Sequence, residues 1–132
     1  MTVTILSEGY DGAGGYWTPE CLKKVAGRFL VWQQEFPDRG FPVRMNDFDG
    51  PPVGHISELY YDAVSRSLKG AVDTTSDTTG HGDDALACGA IHVRYKVAEA
   101  DAMSCGSRRI LDATLARIAV FVQPQGMRLQ PE

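Results

Sequence analysis

The chain has 132 residues, 43% of them hydrophobic and 23% charged, with a formal net charge of −4. That is the composition of one globular domain, able to bury about two-thirds of its unfolded surface without disulfides or metals. It excludes disordered, collagen-like and disulfide-scaffold classes, and no apolar run approaches the roughly 18 residues of a helical membrane span. Residues 1–8 lack the basic start and apolar stretch of a signal peptide, which predicts an intracellular chain. No Lys/Arg cluster stands out, and Arg108-Arg109 is the densest basic stretch, so no nucleic-acid partner is expected. Cys21, Cys88 and Cys105 are odd in number, widely spaced and without a C-x-x-C pair, which predicts free thiols and no zinc or redox role.

Residues 2–10 alternate Val3 and Ile5 with polar neighbours and read as an entry strand. Gly12, Gly14 and Gly15 form a loop that lacks the Lys-Ser/Thr ending of a phosphate-binding turn. A helix begins at Thr18-Pro19-Glu20: Thr18 suits the N-cap, Pro19 the first helical position, and Glu20 the positive end of the helix dipole. Leu22, Val25, Ala26, Phe29, Leu30 and Phe36 recur at a 3.6-residue period, broken once by Gln33, and predict a core-facing stripe that Pro37 ends. Strands follow at 42–45, 53–60 and 67–72, the last two forming a hairpin through a turn at 62–66. Residues 74–82 read as a polar loop, and 83–89 as a short helix closed by Gly89. Ile91, Val93, Tyr95 and Val97 alternate through a strand at 90–97. Residues 98–106 give no clear signal, 108–111 and 115–122 read as two strands, and 124–132 as a polar tail after a domain spanning 1–123. The sum is a mainly β, α+β fold. A long strand series after one helix favours a closed or nearly closed, mostly antiparallel barrel with one long and one short helix outside.

Several segments, in order, resemble a known family. Trp17-Thr18-Pro19-Glu20-Cys21-Leu22, Pro42-Val43-Arg44-Met45-Asn46-Asp47 and Pro52-Val53-Gly54-His55-Ile56-Ser57-Glu58-Leu59 come first. Ser67-Leu68-Lys69-Gly70, the loop from Asp73-Thr74 to Gly80-His81-Gly82-Asp83-Asp84-Ala85, and Arg108-Arg109-Ile110-Leu111-Asp112-Ala113-Thr114-Leu115 follow. Together they resemble the prohead (head maturation) serine proteases of tailed phages, which share the assemblin-type barrel of herpesvirus capsid proteases. No single motif is specific; their order and spacing carry the resemblance, from about Tyr10 to about Pro124.

At the family's chemical positions this sequence departs. Where the family has its general-base histidine, Asp47 stands (Asn46 with a one-residue gap). Where it has the nucleophilic serine, Arg94 or Tyr95 stands. In its later L-x-E-[IV]-S run, Arg117 replaces the acid and Ala119 the serine. Serine proteolysis needs a hydroxyl deprotonated by an imidazole, and a carboxylate of ordinary pKa is a poor base for it. Loss of triad members costs about 10⁴–10⁶ in rate. The resemblance therefore implies a pseudo-protease with no cofactor and no metal. It implies a phage structural protein that binds the major capsid protein as a decoration, cement or minor capsid protein. Such a protein would sit in the virion after assembly in the host cytoplasm, as a homo-oligomer or symmetric array, with no membrane partner. The alternative is an active divergent maturation protease or assembly factor, for which His55 with Ser57, or Ser104, is the relocated candidate. His81 with Asp77, Asp83 and Asp84 fits no cation-loop spacing. Trp17, Trp32, Tyr60, Tyr61 and Phe121 are candidate interface anchors, with core packing the competing reading.

Overall fold

A computed structural model describes residues 1–75 and 77–122. In chain order the elements are β1 (Thr2–Ser7), β2 (Gly9–Tyr10), β3 (Gly15–Trp17), α1 (Pro19–Glu35), β4 (Pro42–Met45), β5 (Pro52–Asp62), β6 (Ser67–Asp73), α2 (Gly82–Cys88), β7 (Ala90–Ala102) and β8 (Arg108–Phe121). The eight strands join one sheet in the order β1-β6-β5-β4-β8-β3-β2, with β7 on the other side of β8. The sheet curls into a half-barrel.

The mainly β class with one long and one short helix holds. The expected antiparallel pattern does not: the sheet is mixed, because β8 runs parallel to both β3 and β4. Both of those strands lie on one edge of β8, and α1 is the crossover that joins them. A parallel pair needs such a crossover rather than a hairpin.

α1 forms for the reasons its sequence gives. The Thr18 hydroxyl accepts from the Cys21 N–H at 3.1 Å, and Pro19 sits in the first turn. Its buried face is Cys21, Leu22, Val25 and Phe29, set against β8, β5 and β6. Leu30 and Phe36, expected on that stripe, are instead 54% and 40% exposed. Leu30 falls one residue past the stripe's edge, and Phe36 is the C-cap, already outside the helix. Leu22, Val43, Val53, Leu68 and Ala113 are wholly buried and form the core between helix and sheet.

Four boundaries differ from the expected ones. The entry strand breaks into β1 and β2 at Gly9, whose φ of 99° turns the chain. The glycine loop contains β3, which pairs Gly15 with Arg108. β7 continues to Ala102 and meets β8 through a turn closed by Met103 N–H to the Ser107 carbonyl at 2.8 Å. The two strands expected at 108–111 and 115–122 are one. Asp112 does not interrupt it, because the Arg28 guanidinium grips its carboxylate from α1. Bulges at Leu111 and Ala116 of β8 and Ala98 of β7 absorb the register changes along this long pair. The expected tail at 124–132 lies outside the described residues.

Candidate binding site

The turn from β4 to β5 sets the site. Asn46 adopts a left-handed φ of 61°, its N–H donates to the Val120 carbonyl at 2.9 Å, and its side-chain oxygen accepts from the Val122 N–H at 2.8 Å. The turn is thereby pinned to the end of β8. The Asp47 carboxylate accepts from the Asp49 N–H at 3.0 Å, and Gly50 N–H closes on the Asp47 carbonyl. A side chain at Gly50 would collide with the Met45 carbonyl.

Phe48 projects from this turn onto the β7–β8 surface. Its ring lies 6.0 Å from that of Phe121, which in turn meets the His92 ring at 4.6 Å. The Arg94 guanidinium stacks over Phe48 at 4.4 Å. Arg117, opposite Arg94 in the strand pair, donates to the Asp49 carboxylate and to the Phe48 carbonyl. Among the positions that replace protease residues, Ala119 is buried in β8, whereas Asp47, Arg94 and Arg117 are thus brought to the one turn around Phe48. Tyr95 is not. Strand alternation sends it to the opposite face, edge-on to Trp17 at 4.7 Å with its hydroxyl donating to Asp11 at 3.3 Å.

This group is built of cations, carboxylates and rings, without a hydroxyl or thiol. Ser57 is the extra residue of a bulge in β5, and its hydroxyl donates to the Ala71 carbonyl at 3.2 Å. Ser104 is exposed in the β7–β8 turn. Asp77 accepts from the Thr79 hydroxyl and from the Thr79 and Gly82 N–H groups, and the Thr79 contact leads in lowering its pKa. Among the described residues no three His, Cys, Asp or Glu side chains converge as a metal site.

The aromatic interface candidates divide. Trp17 is 1% exposed and belongs to the core. Its ring N–H donates to Asp11 at 3.1 Å. Tyr61 is half-buried, donates to Glu8 and lies under Lys23. Phe121 is half-buried beneath Phe48, Trp32 is half-buried, and Tyr60 is the exposed one.

A cavity of about 470 Å³ adjoins this group, and nothing in the sequence pattern announces it. Phe29 and Trp32 of α1, Phe41 before β4, Phe48, and Leu115 and Ile118 of β8 form its apolar walls. Three arginines line it as well. Arg28 is held by Asp112, whose carboxyl the guanidinium keeps below the usual range. Arg117 is held by Asp49. Arg44 is half-buried and donates to the Gly50 carbonyl at 2.9 Å; among the described residues no carboxylate lies within 4.0 Å of it.

The cavity exists because β8 is only partly covered on this edge. β3 pairs with residues 108–110 and β4 with residues 118–120, so among the described residues no strand stands against residues 111–117 there. Arg28 covers the start of the gap through Asp112, and residues 114–117 face the cavity. Phe29, Trp32, Phe41 and Phe48, which no local pattern links, meet here from three segments. No family model matches the chain, nor does any curated protein or solved structure.

Proposed function

We propose that the half-barrel is an assemblin-like protease fold that has lost its chemistry and serves as a structural component of a phage capsid. In this reading the protein is a decoration, cement or minor capsid protein. It binds the major capsid protein in many copies and forms a homo-oligomer or a symmetric array in the virion. The observation that carries the reading is the group around Phe48. Where the resemblance leads one to look for the nucleophile and the later acid, Arg94 stacks on Phe48 and Arg117 grips Asp49. A guanidinium that stays protonated in proteins neither attacks a carbonyl nor accepts a proton, so these positions suit packing and adhesion rather than acyl transfer.

Quantitative mass spectrometry of purified proheads and virions of the phage that carries the gene tests this. Many intact copies per particle, with no capsid-protein cleavage that depends on this chain, is the expected result. Absence from both particles refutes the capsid role. Cleavage of the capsid protein on co-expression, abolished by Ser57→Ala or Ser104→Ala, refutes the loss of chemistry.

A further inference from the structure

We infer that the cavity beside the open stretch of β8 docks an extended segment of another protein, one that carries a carboxylate and a large apolar side chain. The docking site stands on the cavity alone, apart from any place in a capsid.

Three features converge on this occupant. The first is the unpaired edge. Residues 114–117 span roughly 13 Å at about 3.3 Å per residue, room for a short added strand. Ala116 is bulged out of register with β7 and, among the described residues, faces no strand on the other side. Unpaired strand edges recruit extended peptides through main-chain hydrogen bonds, and neighbouring pockets then select side chains.

The second feature is the cavity beside that edge. At about 470 Å³ it is large enough for a Phe or Leu side chain with its flanking backbone, and its walls at Phe29, Trp32 and Phe41 are apolar. The third is charge. The chain as a whole carries −4, yet among the described residues this cavity is lined by three arginines and one carboxylate, Asp49. Arg28 and Arg117 already hold carboxylates, whereas half-buried Arg44 has a neutral carbonyl as partner. A partly desolvated guanidinium calls for a counter-charge, and a carboxylate matches its fork with two parallel hydrogen bonds. An acidic partner is repelled by most of this protein and attracted here, which fixes where it lands.

The probe is the blocked hexapeptide acetyl-Asp-Glu-Phe-Glu-Leu-Asp-amide, titrated into the full chain and followed by amide NMR. Its counterpart carries lysine at every acidic position. The acidic peptide is expected to shift the amides of residues 114–117 and the Trp32 indole saturably, while the basic one leaves them unmoved. Arg44→Gln should weaken binding by about tenfold, the share of one charged hydrogen bond. Thr114→Trp, at an exposed position on the cavity wall, should abolish binding while the rest of the spectrum keeps its native dispersion. Three results overturn the proposal: no shift with the acidic peptide at low millimolar concentration, equal binding of both peptides, or binding that appears only after residues 123–132 are removed. The last would make the chain's own terminal segment the occupant. None of these results alters particle composition, so the capsid role is tested separately.

Discussion

Replacing Trp17 by Phe probes the anchor between the glycine loop, β3 and β7. The indole is 1% exposed, donates to an Asp11 carboxylate oxygen at 3.1 Å, and stands edge-on to Tyr95 at 4.7 Å. Tyr95 donates to that same oxygen at 3.3 Å, while the other oxygen accepts from the Ala13 and Gly15 N–H groups. Phe keeps an aromatic ring against Tyr95 but loses the N–H. A hydrogen bond to a charged group contributes about 1.5–3 kcal/mol, and the lower end applies because Asp11 is partly solvated. The smaller ring leaves about 40 Å³ unfilled, which adds about 1 kcal/mol at about 24 cal/mol per Å³. The sum, about 2–3 kcal/mol, should lower the urea midpoint by about 1–1.5 M and the melting temperature by roughly 8–12 °C. Asp11→Asn alone should cost less, and the double variant should show a coupling of about 1 kcal/mol. A Trp17→Phe midpoint equal to wild type, or strictly additive losses, would refute the claim that this bond ties the loop to the core.

Acid sensitivity follows from the same kind of contact. Burial raises the pKa of Asp11, but its four hydrogen bonds outweigh that and leave it lowered. Asp62 is lowered by the Ser65 hydroxyl, Asp77 by Thr79, and Asp112 by Arg28. A carboxyl whose folded pKa is depressed stabilises the fold above its unfolded value and loses that contribution as pH falls through the folded one. Stability should therefore hold steady at neutral pH and decline below about pH 4, read by near-UV circular dichroism, with a shallower decline in Asp77→Asn. The cysteines should separate by alkylation at pH 7. The Tyr10 hydroxyl helps pull Cys105 down to about 7, while burial pushes Cys21 up to about 11. Iodoacetamide should label Cys105 readily, Tyr10→Phe should slow that labelling, and Cys21 should react only after unfolding, as peptide mass spectrometry will report.

What was legible in the sequence is what local chemistry decides. The Thr18 cap, Pro19 and the apolar period specify α1, and alternation specifies the β5–β6 hairpin and the inward face of β7. What was not legible depends on partners far away in the chain. β3 is three residues long and exists because Arg108 lies beside Gly15. β8 reads as two strands until Arg28, on α1, reaches Asp112. For the site, the resemblance picked out Asp47, Arg94 and Arg117, which do gather around Phe48, but it offered Tyr95 equally, and strand alternation puts Tyr95 on the other face. The cavity has no local signature, since three separated segments and a missing strand pairing create it.

The place of β8 bears on how the protein is made. It comes last among the described strands, yet β3, β4 and β7 all pair with it and α1 packs on it. Synthesis proceeds from the other end at about 5–20 residues per second, so β3, α1 and β4 emerge from the ribosome several seconds before the strand that unites them. Through that interval α1 has β5 and β6 to pack on and β4 has β5 to pair with, but the faces that β8 covers stay open to chaperones and neighbouring nascent chains. Completion then requires β8 to enter between elements already present, a search over long chain separations that slows folding. A late central strand makes this a fold that closes only once its last described strand has emerged.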